Sequence, residues 1–144
     1  MLTFRTFLEN EETKNLQQML GKLPPSHRAL VKGFDFKFQP GNTLDGDDEH
    51  VGYMDEKGKE IAVAAPWNYG REFTILHEIG HRVWERLPDN YKKAWAKVVP
   101  MNPKRQKQSP EELFCMAYAN YYVKNRVVVH DCPAWNKFIE NLPS

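Results

Sequence analysis

Two cysteines in 144 residues exclude a disulfide-stapled scaffold. Cys115 and Cys132 are expected to be free, buried thiols. No run approaches the ~20 apolar residues of a membrane-spanning helix, so no membrane partner is expected. Neither sign of charge prevails, since 20 basic side chains face 19 acidic ones for a net charge of +1. That excludes the broad positive field of a nucleic-acid binder. The one basic cluster, Lys104, Arg105 and Lys107, is expected to be a solvated loop. The opening MLTFRTFLENEETKNL has no apolar core of signal-peptide length, which points to a cytoplasmic protein. Internal repeats and low-complexity tracts are absent as well.

What the chain does have is the composition of a packed protein, 41% hydrophobic and 12% aromatic, over a length suited to one domain spanning 1–144. Its first half predicts a helix over 8–20 stopped by Gly21, a short helix over 27–31, and a strand over 34–38 from strict alternation. Two strand-like runs, 51–54 and 60–65, flank the Gly-containing turn DEKGK and predict a hairpin. Asp45 to Glu49 is expected to be an acidic loop between these parts.

The second half predicts helices. One runs from 71 to 87, stopped by Pro88, with Phe73, Leu76, Gly80, Val83 and Leu87 as its core stripe. Asp89 caps another, through about residue 99. Ser109-Pro110-Glu111-Glu112 opens a third that runs to about 124. The last covers roughly 133–142. The expected class is α+β, with a small sheet and hairpin beside a helical half.

One pentapeptide carries chemistry. His77-Glu78-Ile79-Gly80-His81 is an HExxH motif on the long helix. Positions i and i+4 share a helix face, so both imidazoles can reach one zinc ion. Glu78 follows the first histidine and can hold and deprotonate a water. A catalytic zinc takes three protein ligands and keeps a fourth position open. Candidates for the third are His27, His50, His130, Glu111 and Glu112, and spacing favours Glu112 over Glu111 only slightly. Cys115, three residues beyond Glu112, is the candidate that would close the site as a fourth ligand. His130 and Tyr69 are candidates for stabilising an oxyanion. Trp67, Trp84, Tyr118, Tyr121 and Tyr122 are expected to pack in the core or line a groove.

The stretch SPEELFCMAYANYYVKNRVVVHDCPAWNKFIENL resembles the C-terminal segment of the Pro-Pro endopeptidase and anthrax lethal factor-like zinc metallopeptidases. There a PEEFFAESFAYYY pattern is followed by a CP dipeptide and a last helix ending in NL. The hairpin VGYMDEKGKE is similar to the one that precedes the zinc helix in that family. The likeness covers about residues 50–142. It implies a zincin-like fold with one zinc per chain, held by His77, His81 and Glu112, with Glu78 as general base. It also implies a protein or peptide substrate laid in extended form along the strand 61–65, taken as an edge strand.

Two positions depart from the family pattern. Its tyrosine seven residues before the third ligand is Arg105 here, which could serve the oxyanion if it points inward. Its carboxylate four residues after that ligand is Met116. HEIGH with a Glu-rich helix also resembles the repressor-cleaving peptidases of mobile elements. A non-catalytic zinc domain that binds a protein segment is the third expectation.

Overall fold

Prolines and glycines mark most element boundaries, and the computed structural model follows them. It describes residues 14–38, 52–55, 57–63, 72–124 and 126–143. Residues 14–21 are helical (α1), and α2 is Pro25–Ala29. The second helix starts two residues earlier than expected because Pro25 takes the first helical position, where a missing N–H costs nothing. The strands are β1 (Asp35–Phe38), β2 (Gly52–Asp55) and β3 (Glu60–Val63). The helices of the second half are α3 (Glu72–Arg86), α4 (Asp89–Val98), α5 (Pro110–Tyr122) and α6 (Pro133–Glu140). Short 3-10 turns, Val99–Met101 and Val128–His130, link the last three. The class is α+β and mostly helical.

The predicted hairpin forms, with β2 antiparallel to β3 and Asp55 opposite Glu60. Gly58 N–H donates to Asp55 Oδ1 at 3.1 Å, and the left-handed position of the turn falls on Lys59 (φ 50°). The sheet order is β1-β3-β2, with β1 parallel to β3. That corrects one expectation. Over Glu60–Val63, β3 is the middle strand and both of its hydrogen-bonding sides are taken. A substrate therefore cannot pair with it there. Residues 64–65 lie outside the described residues, as do His50, Trp67 and Tyr69.

The core sits between the sheet and the helices. α3 packs against α5 on one side and against β2 and β3 on another. Its buried surface is accordingly wider than one stripe, with Ile75 and Ile79 sealed alongside Leu76, Gly80 and Val83. α5 is the central helix, with Leu113, Phe114, Cys115, Ala117, Tyr118, Ala119 and Asn120 all buried. Behind it, Trp95 of α4 meets Trp135 and Phe138 of α6 at ring-centroid distances of 5.3 and 5.1 Å. The two buried indoles are satisfied. Trp95 Nε1 donates to Pro110 O at 2.8 Å and Trp135 Nε1 to Val98 O at 3.2 Å. Both cysteines are free and buried. Among the described residues no helix is long and apolar enough to cross a membrane.

Candidate metal centre

The centre is built where α3 and α5 run antiparallel in close contact. Glu72, at the start of α3, accepts from Lys124 N just past the end of α5. At the other end of α3, His81 meets Glu111 and Glu112 in the first turn of α5. Between these points the helices touch at Gly80. A Cβ placed there would stand 3.1 Å from Cys115 Cα and 3.4 Å from its Sγ. The glycine thus lets two backbones approach closely, and it sits between the two histidines in sequence.

His77 and His81 lie one helical turn apart with ring centroids 5.0 Å apart. Both Nε2 atoms face the same carboxylate. His77 Nε2 is 3.1 Å from Glu112 Oε2, and His81 Nε2 is 3.3 Å from Glu112 Oε1. Of the two histidines, Glu111 meets His81, from the other ring nitrogen, at 3.6 Å. That separation is an ion-pair contact rather than a hydrogen bond. So of the two acids that spacing barely separated, Glu112 is the one that spans both imidazoles. Its position is set locally, since Ser109 caps α5 and Ser109 Oγ accepts from Glu112 N at 3.2 Å.

Cys115 lies close to both histidines. Donor atoms of His77, His81 and Cys115 all lie within 4.8 Å of one another, and the three form a group able to hold a metal ion. The sequence signal for it was the i+3 spacing from Glu112; the close approach at Gly80 is what delivers the thiol. Burial pushes the Cys115 thiol well above its ordinary range, and the nearby carboxylates of Glu112, Glu111, Glu78 and Glu85 push it further. Burial also lowers the pKa of His77, outweighing the opposing pull of Glu112. The lowering favours the uncharged imidazole, the form that ligates a metal. Glu78 occupies the next position on α3 and is half-buried.

His130 approaches from a third direction. The turn Val128–His130 stacks its ring on Phe73 of α3 at 5.8 Å, and its charge would be felt by His77. Asn102 braces this turn, donating from Nδ2 to Val129 O at 3.0 Å. His130 is buried, burial lowers its pKa, and its Nδ1 has no hydrogen-bond partner among the described residues.

Arg105 does not join the group. It is exposed, its Nη1 donates to Asn102 O within its own loop at 3.0 Å, and no described ion pair links it to Glu111 or Glu112. The loop turns the guanidinium back on itself, so the condition that it point inward is not met. His27 lies away from the centre, with Nδ1 3.0 Å from Tyr118 Oη and Nε2 3.3 Å from Pro143 O. Met116 is half-buried beside the site helix pair. Comparisons with protein-family models, with curated proteins and with solved structures find no match for the chain.

Proposed function

We propose that the protein is a zinc-dependent endopeptidase of zincin-like architecture, acting on an extended protein or peptide segment. One observation carries this reading. The Nε2 atoms of His77 and His81 converge on the single carboxylate of Glu112, at 3.1 and 3.3 Å. Two imidazoles and a carboxylate from a second helix make a His₂Glu donor set, which suits a borderline-soft dication such as zinc. The donor chemistry therefore fits the ion, with His77, His81 and Glu112 holding it.

When bound, the ion supplies Lewis acidity that polarises a carbonyl and acidifies a water. The rest of the chemistry belongs to the chain. Glu78, on the same helix and next to His77, takes the proton of the attacking water on a carboxylate oxygen and passes it to the leaving nitrogen. Glu111 stands at the outer nitrogen of His81 and steadies that ring, a task the family gives to the carboxylate replaced here by Met116. His130 is buried, with an Nδ1 that has no hydrogen-bond partner among the described residues, and would donate an N–H to developing negative charge on the substrate oxygen.

A second reading has its own observation. Cys115 within the histidine group favours a metal domain closed by four protein ligands, which binds a protein segment without cutting it.

The test is to incubate zinc-loaded protein with a complex peptide library and read new termini by mass spectrometry. The Glu78→Gln variant is the control, expected to keep its zinc and lose roughly 10²–10⁴-fold in turnover. Cleavage that persists undiminished in that variant would remove Glu78 from the mechanism. Stoichiometric zinc with no cleavage by either protein would favour the closed domain.

A further inference from the structure

The endopeptidase reading uses three donors, and Cys115 offers a further one beside the two histidines. Cys115 is one helical turn beyond Glu112 on α5, fully buried, with a donor atom within 4.8 Å of donor atoms on His77 and His81. Tetrahedral coordination with bonds of 2.0–2.3 Å sets donor separations of about 3.3–3.8 Å. His77, His81 and Cys115 therefore need side-chain adjustments of only about 1 Å to close around an ion, with Glu112 already in contact with both imidazoles. The thiol lies against the α3 backbone, since a Cβ placed at Gly80 would stand 3.4 Å from Cys115 Sγ.

We propose that Cys115 is a fourth, removable donor to the same ion, so that the metal-loaded resting site is closed by His77, His81, Glu112 and Cys115. This inference rests on the metal-site reading above and adds regulation to it. On binding, the Sγ–H bond breaks, an Sγ–metal bond forms, and the proton leaves to solvent. Departure of the thiolate reverses those changes and frees the coordination position that a peptidase must keep open. Such a site is latent until something draws Cys115 away. A thiolate donor also shifts preference towards zinc, cobalt and cadmium and away from magnesium or calcium.

Cobalt(II) substitution tests this directly, because thiolate ligation adds an intense near-ultraviolet charge-transfer band to the visible d–d bands of a four-coordinate ion. The wild-type protein is expected to show both. Cys115→Ser should lose the charge-transfer band and keep the d–d bands, while Glu112→Ala keeps the charge-transfer band. Far-ultraviolet circular dichroism shows that each variant is folded, and Cys115→Ala serves if the serine variant is not. Cobalt-loaded wild type with d–d bands but no charge-transfer band would overturn the proposal and leave the three-donor endopeptidase standing. Failure to bind cobalt at all, by metal analysis, would overturn both. A charge-transfer band together with no peptide cleavage by wild type, Cys115→Ser or Cys115→Ala would support the thiolate ligand and overturn the peptidase.

Discussion

Gly80 and Cys115 hold α3 and α5 in backbone contact, with only 3.1 Å between the Cys115 Cα and the place where a Gly80 side chain would begin. Alanine at position 80 brings two opposing effects. It gains about 1 kcal/mol of helix propensity. It also overpacks a sealed contact, at a typical cost of 1–3 kcal/mol. The obstructing atom is helix backbone, which cannot swing aside as a flexible side chain could. Gly80→Ala is therefore expected to lose stability by roughly 1 kcal/mol, a fall in Tm of about 2–4 °C. Its metal affinity should fall too, since the donors lie on both helices. A variant that melts higher than wild type and binds metal equally well would show that the contact is slack.

Ser109 governs the opposite end of the donor helix. Its hydroxyl caps the backbone N–H of Glu112, the residue that spans both imidazoles. Ser109→Ala should cost about 1 kcal/mol in chemical denaturation. It should also weaken metal binding more than a helix-surface substitution of equal stability cost, such as one at Lys97. Equal affinities for the two variants would mean that the cap holds the helix but not the ligand.

On the proposed metal reading, an ion would bind donors that only the folded chain assembles, and should then act as a clamp between α3 and α5. At free zinc of a hundred times Kd the expected gain is about 2.7 kcal/mol. For a chain of this size that is a rise in Tm of about 5–10 °C, reversed by a chelator. His77→Ala should abolish the shift and Glu112→Ala should reduce it. A full shift in Glu112→Ala would exclude that carboxylate from the donor set.

Acid should destabilise the fold, and His27 provides the clearest case. It is buried, and burial holds its pKa below the ordinary 6.5. With Nε2–H donating to the Pro143 carbonyl, Nδ1 is left to accept from the Tyr118 hydroxyl. That hydroxyl keeps its proton, since burial raises the pKa of Tyr118. The unfolded chain binds a proton at His27 more readily than the folded one. The stability owed to the neutral imidazole is thus complete above 6.5 and declines as pH falls through the lower folded value. His77 and His130 add the same sign. Urea midpoints measured between about pH 8 and about pH 5 should fall, and His27→Gln should flatten the profile. An unchanged slope in that variant would assign the acid response to other groups.

Much of the centre was legible because its geometry is local. His77 and His81 share a face by helix periodicity alone, and Pro110-Glu111-Glu112 announces a helix start whose acids lie in its first turn. Both histidines accordingly share one face, whereas Glu112 was set apart from Glu111 chiefly by the family resemblance and is the acid that meets both imidazoles. The sheet was legible only as strands. The run at 60–65 suits an edge or a centre equally well, and β1 becomes its neighbour through a parallel pairing more than twenty residues distant, for which no short pattern speaks. For the same reason α3 was read with one buried stripe, while Ile75 and Ile79 are sealed on a further side that only the packing of sheet and α5 creates. Cys115 could be anticipated as a buried thiol. Its closeness to both histidines depends on how two helices cross, which the sequence marks only by a single glycine. Arg105 stands apart from the group because a loop conformation, not spacing, decides where a guanidinium turns.

The hydrogen bond from Trp95 to Pro110 has an optical consequence. The indole N–H grips the first residue of the helix that carries Glu111, Glu112 and Cys115. Trp95 is fully buried against a second indole, so its emission should be blue-shifted and sensitive to its own N–H contact. Movement of the first turn of α5, as an ion enters or a thiolate leaves, would therefore alter the intrinsic fluorescence. The molecule thus carries an unlabelled spectroscopic reporter joined by one bond to the donor helix.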